Sequence, residues 1–164
     1  MSNQSAVTIE QERPIGRELY EQMIDEFDYS AVTWTMKRYN AEMSQERADE
    51  LLDAFLQWMA LAPLNSKDRY ITMFQTDVEE AFHCFILNIA LYKKFCDRFL
   101  EYFFHHNQLI AEEGPEVTAA AAFTVKSLED AYGDNLHPEL KEWKKQFDAG
   151  TYKVACVGPG GHCP

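Results

Sequence analysis

Five residues in the middle third of the chain could do chemistry: His83, Cys84, Cys96, His105 and His106. Imidazole and thiolate are the usual protein ligands for zinc and copper. Whether they can share one ion depends on the segment between them. On an unbroken helix His83 and His106 stand about 35 Å apart, at roughly 1.5 Å rise per residue. If the helix breaks near Asn88 and folds back, His83 could approach Cys96 or His106. The candidate metal set is therefore His83, Cys96, His105 and His106, with zinc or copper as the ion. The opposing reading is a set of structural histidines and a buried Cys96 that packs as a small hydrophobe. The order His-x12-Cys-x8-His-His matches no metal motif with a mechanical rationale. Glu79-Glu80 with His83 imitates the Glu-x-x-His pair of di-iron bundles, but such a site needs a second copy. A different candidate lies near the C-terminus. Cys156, His162 and Cys163 sit in a Gly/Pro-rich stretch and could bind a soft metal, oxidise or be modified. No nucleotide-binding glycine loop, His-Glu-x-x-His or nucleophile-elbow motif is present.

The elements that must position these groups read as helices. Pro14–Phe27 places Leu19, Tyr20, Met23, Ile24 and Phe27 on one stripe. A second helix carries Val32, Thr35, Met36 and Tyr39. A third starts behind Ser44, a good N-cap, and ends before Pro63. Thr76-Asp-Val-Glu79 reads as a capping box, with Thr76 and Glu79 each expected to bond a free backbone N–H. Behind it Val78, Phe82, Phe85, Ile89, Tyr92, Cys96, Phe99 and Phe103 alternate intervals of four and three, an apolar heptad. His105 and His106 are expected to close that helix, at the negative end of its dipole. A further helix opens at Pro115 and stops at Gly133, and a short last one starts at Pro138. Tyr152–Val157 is the one weak strand candidate. The expected fold is all-α: a single compact domain of about six helices around a central long or broken helix. Residues 1–13 read as a mobile arm, 14–147 as the helical domain and 148–164 as a flexible Gly/Pro/Cys tail, ordered only if something holds it.

Charge narrows the function classes. The 164 residues carry a formal charge of −12. This argues against nucleic acid and anionic membrane as partners, since both demand clustered Lys and Arg. The acid is unevenly placed: 12 acidic and 5 basic groups fall in residues 1–60, but 6 and 5 in residues 61–109. The near-neutral middle also holds three of the five histidines, so a site is expected there. No apolar run reaches the roughly 18 residues of a membrane span. The polar start lacks the look of a secretory signal, and the four cysteines do not form a secreted disulfide ladder. A cytoplasmic protein with reduced thiols is expected.

The block Thr76–Asn107 resembles the signature of the glycine-rich domain-containing protein-like family. There His83 takes the first His of the family pattern, Ile86-Leu87 an Ile-Leu, Tyr92 a Tyr, Phe95-Cys96 a Phe-Cys, and His105-His106 the closing His pair. Phe55-Leu56 upstream, and Thr124, Tyr132-Gly133 and Trp143 downstream, extend the likeness over about residues 50–147. Phe82 stands in place of a Trp, Phe85 of a second His, Ile89 of a Thr and Glu101 of a Gly. The resemblance implies a fold and a site but no reaction. The expected function is a small helical binding or interaction protein, without catalysis, for a protein or small-molecule partner. The alternatives are a zinc or copper protein built on the central His/Cys cluster, and a carrier of a metal-chelating or modified C-terminal peptide.

Overall fold

The computed structural model describes residues 14–109 and 114–157. The arm 1–13, His162 and Cys163 lie outside the described residues. Among the described residues seven α-helices, two single 3-10 turns and three short strands follow in the order α1 (Arg17–Glu26), α2 (Ser30–Tyr39), α3 (Gln45–Met59), a turn at Ala62–Leu64, β1 (Thr72–Phe74), α4 (Val78–Leu87), α5 (Ile89–Phe99), β2 (Asn107–Gln108), α6 (Pro115–Tyr132), a turn at Gly133–Asn135, α7 (Pro138–Ala149) and β3 (Val154–Val157). The all-α expectation holds, and the seventh helix arises because the central one divides. Among the described residues no helix is long and apolar enough to cross a membrane.

The boundaries have local causes. Ser44 accepts a hydrogen bond from the Arg47 N–H at the start of α3, an N-cap worth about 1 kcal/mol. Pro115 and Pro138 occupy first turns, where a missing N–H costs nothing. The division between α4 and α5 falls at Asn88, where the backbone leaves the helical region (φ −89°, ψ 56°). Its N–H bonds the Phe85 carbonyl instead of that of Cys84. Its side-chain amide donates to the freed Cys84 carbonyl at 2.9 Å and to Thr35 Oγ1 of α2 at 3.0 Å. The break is thus satisfied on both sides and tied to a neighbouring helix.

That break changes the phase of the heptad. Val78, Phe82, Phe85, Tyr92, Cys96 and Phe99 are buried as the spacing predicts, whereas Ile89 is 63% exposed. Phe103 lies past the end of α5 and is 36% exposed. His105 and His106 therefore do not close a helix. The chain turns back after Leu100 through Glu101, at φ 61°, a left-handed conformation that suits glycine better than a residue with a Cβ. Tyr92 then donates a 2.5 Å hydrogen bond to the Phe104 carbonyl and fixes the returning segment against α5. This carries residues 103–106 back along the helices they follow.

The sheet supplies the other constraint. Its order is β1-β3-β2, both pairings antiparallel. The weak strand candidate is therefore the middle strand, with Thr72 and Asn107 both opposite Val157. Beyond α7, what holds this segment is pairing on both edges.

Candidate metal centre

Glu79 lies in the first turn of α4 and His83 one turn on, so their side chains share a face. Thr76 does not form the expected capping box. Its hydroxyl accepts a hydrogen bond from Trp143 Nε1 at 2.9 Å, and Asp77 begins α4 without a side-chain cap. The Glu79 carboxylate is left to turn towards His83, with Oε1 3.3 Å from Nε2. The same oxygen lies 3.4 Å from Nε2 of His106 on the returning segment. The His83 and His106 rings are 4.8 Å apart between centroids, and the His106 ring also packs 4.8 Å from Phe82. All three donor atoms fall within 4.8 Å of one another.

The environment is graded. The side chains of His106 and Glu79 are 12% and 17% exposed, and that of His83 is 50% exposed. Nε2 of His106 is buried and makes no hydrogen bond, although a carboxylate oxygen faces it. A buried imidazole nitrogen without a partner is costly to leave so. Burial alone would push the Glu79 carboxyl up. The facing His106 and His83 outweigh it and hold the group down at about 2. His83 is raised above its ordinary value by its contact with Glu79, against the opposing effect of partial burial.

The remaining sequence candidates are placed elsewhere. Cys96 is fully buried on the inner face of α5, and burial pushes its thiol up. His105 lies against Phe103, with ring centroids 5.0 Å apart, and is not part of the three-residue group. Cys84 donates to Glu80 at 3.6 Å, and its thiol is pushed up to about 12, first by burial and then by that carboxylate. Cys156 faces inward from β3 at 1% exposure, its thiol pushed up to about 12 by burial, with the Glu79 charge adding to the shift. A thiol held protonated is a poor ligand and a poor nucleophile. Of the four expected metal ligands the fold brings His83 and His106 together. Glu79, paired with His83 in the sequence but left out of the expected ligand set, is the third member. The usable signal was its i, i+4 spacing to His83, hidden by assigning the same carboxylate to a cap.

The centre borders a cleft of about 610 Å³, walled by Glu79, Glu80 and His83 on one side and by Tyr39, Met43 and Arg47 on the other. Arg47 is committed to the frame: it contacts Glu139 of α7 at 2.5 Å, Asp77 at 3.1 Å and Glu50 at 3.4 Å. These contacts hold α3, α7 and the start of α4 around the opening.

Residues 20–121 match the sequence pattern of the UCP032817-like family. The chain belongs to that family. The matched span contains Glu79, His83 and His106, so the whole three-residue centre lies inside the UCP032817-like part of the chain, and Cys156, His162 and Cys163 lie outside it. The finer kinship, with the glycine-rich domain-containing protein-like family, is not carried by that match. No curated protein and no solved structure matches the chain.

The Glu79–His83 pair gives the metal-free protein a pH signature. With its folded value raised, His83 contributes stability that is complete below about 6.5 and lost as pH rises through the folded value. With its folded value depressed to about 2, Glu79 contributes stability present above about 4.5 and lost as pH falls towards 2. Both contributions are therefore present between about pH 4.5 and 6.5. Because His83 is half-exposed, solvent screens the pair, and the effect is about 2 °C in Tm at most. In chelator, wild type should exceed His83→Ala in Tm near pH 5.5 and lose that margin by pH 8.5. A margin constant across that range contradicts the pairing.

Proposed function

We propose that the protein is a small helical metal-binding protein that holds one zinc ion through Glu79, His83 and His106. The observation that carries this reading is the position of Glu79 Oε1, 3.3 and 3.4 Å from two imidazole nitrogens, one of them buried without a hydrogen bond. A tetrahedral ion with bonds of 2.0–2.1 Å spaces its ligand atoms about 3.3–3.4 Å apart. Two His and one Glu are a recognised zinc set that leaves a fourth position free. The donors also match zinc better than calcium or magnesium, which select oxygen. A cation would give the His106 nitrogen and the Glu79 carboxylate a common partner and remove the orphaned acceptor.

The reading keeps the binding character expected from the sequence and replaces Cys96 and His105 in the ligand set by Glu79. The adjoining cleft offers a small molecule or a partner's side chain a place beside the metal, and no catalytic step is assigned to it. The finer kinship with the glycine-rich domain-containing protein-like family and a cytoplasmic setting belong to the same proposal. The resemblance of residues 76–107 supports the first, and the free buried thiols of Cys84, Cys96 and Cys156 support the second.

The test is calorimetric titration of chelator-treated, untagged protein with zinc at pH 7.5, alongside elemental analysis of the protein as purified. One zinc per chain is expected, with affinity falling as pH is lowered because protons compete for the imidazoles. Stoichiometry near zero, or binding insensitive to pH between 5.5 and 7.5, would overturn the reading.

A further inference from the structure

Three protein donors leave a tetrahedral ion one position for a ligand from solution, and the graded exposure of the centre indicates where that position opens. The side chains of His106 and Glu79 are 12% and 17% exposed and that of His83 is 50% exposed, so the ion is reached from the His83 side. That side is the cleft of about 610 Å³, because Glu79 and His83 stand in its wall and His106 does not. The volume falls within the roughly 300–1,000 Å³ of small-molecule sites. Beyond the two ligands the wall has a distinct chemistry. Tyr39, at 67% exposure, offers an aromatic ring and Met43 an apolar flank. The charges of the wall do not balance. The Arg47 guanidinium is taken up by Glu139, Asp77 and Glu50. Glu42 and Glu80 also line the cleft, and neither is in an ion pair among the described residues; the Glu80 carboxylate accepts a 3.6 Å hydrogen bond from the Cys84 thiol.

We propose that the cleft binds a small molecule with an anionic zinc-binding group at one end and a protonated amine at the other. This inference rests on the three-ligand zinc reading and names the ligand class of the same site. The anionic end follows from the charge at the ion. Zinc with one carboxylate and two neutral imidazoles keeps one positive charge, and an anionic donor at the fourth position neutralises it in a centre largely withdrawn from water. The cationic end follows from the wall. Glu42 and Glu80 repel a second anionic group and attract a cation. The Tyr39 ring adds a face to which an ammonium is drawn by the ring quadrupole. Tyr39 ends α2 and Glu42 lies in the turn after it, whereas Glu80 belongs to the first turn of α4. The ammonium is thus gripped from both sides of the opening, and Met43 flanks the hydrocarbon between the two ends. A molecule with two anionic groups meets like charge at Glu42 and Glu80. A simple protonated amine has no lone pair for the metal. An amphoteric molecule satisfies both ends at once.

The test loads the full chain with cobalt(II), whose visible bands shift when a ligand from solution enters its coordination sphere. The probes are alkyl hydroxamates of equal length that end in an ammonium, a methyl or a carboxylate. All are titrated at pH 7.5, where the amine is protonated. Each is expected to shift the bands. The ammonium-ended probe should bind about 5-fold or more tightly than the methyl-ended one, from an exposed ion pair and a cation–π contact together, and the carboxylate-ended probe should bind most weakly. Glu42→Gln and Glu80→Gln should each lower the preference for the ammonium, and the two substitutions together should erase it. The bands of the bound cobalt report in each variant that the centre is formed. Cobalt bound but unmoved by any hydroxamate overturns the open position. Equal affinity for the ammonium and methyl ends, or a preference that survives the double substitution, overturns the ligand class. Either result leaves the three-ligand reading standing, whereas no cobalt or zinc bound at all overturns both.

Discussion

Glu79→Gln should abolish zinc binding while leaving the fold in place. The amide has almost the shape of the carboxylate but lacks its charge, and its Nε2 donates where a metal needs a lone pair. Changing a group that only hydrogen-bonds to a zinc ligand already costs about 10–100-fold in affinity, so loss of a direct anionic ligand should cost at least about 100-fold. His106→Ala should do the same by removing the least exposed donor of the three. The readout is thermal. At zinc about 100-fold above its Kd, wild type gains about 2.7 kcal/mol, which for a domain of this size raises Tm by about 5–10 °C. Both variants should lose that increment at the same zinc concentration. Their metal-free Tm values are the internal control: Glu79 and His106 make no hydrogen bond that the core needs, so these should stay within about 5 °C of wild type. A zinc-induced rise that survives in both variants would place the ion elsewhere.

How much of this could be read in advance differs between elements. The helices were legible because their causes are local: a capping serine, first-turn prolines, a terminal glycine and apolar positions one turn apart. The break at Asn88 was legible as an option, since an Asn amide can replace the backbone partner it displaces. Its consequence was not. Whether His83 and His106 stand about 35 Å apart or with rings 4.8 Å apart depends on how the chain returns after α5. That return is fixed by the Tyr92–Phe104 hydrogen bond and by β2 pairing with β3, contacts distant in sequence. Glu79 was misassigned for a related reason. A Thr-x-x-Glu pattern predicts a capping box only if the threonine is free, and Trp143, 67 residues away in sequence, takes its hydroxyl. Cys96 shows the opposite case. Its type suggested chemistry, but its place on the heptad had already assigned it to the core, where it is fully buried.

The second large effect joins core and site at Phe82. Its ring is fully buried and lies 5.2 Å from Phe55, 5.7 Å from Trp58 and 6.0 Å from both Tyr92 and Phe104. It also forms the wall behind His106. Phe82→Ala removes a large side chain from a packed interior and should cost about 3–5 kcal/mol, a Tm drop of about 6–20 °C. A cost of that size is a large share of the stability of an ordinary domain, so stability alone does not isolate the site. Phe74→Ala supplies the comparison. Phe74 is equally buried but stacks on Trp143 and Tyr152, 5.0 and 5.1 Å away, on the side of the fold where α7 and β3 meet β1. Its loss should lower Tm by a similar amount. At a temperature where both variants are folded, Phe82→Ala should also weaken zinc binding by about 10-fold, as loss of supporting contacts behind a metal ligand does, and Phe74→Ala should not. Equal weakening in the two would mean that the centre responds to general loosening rather than to the wall behind His106.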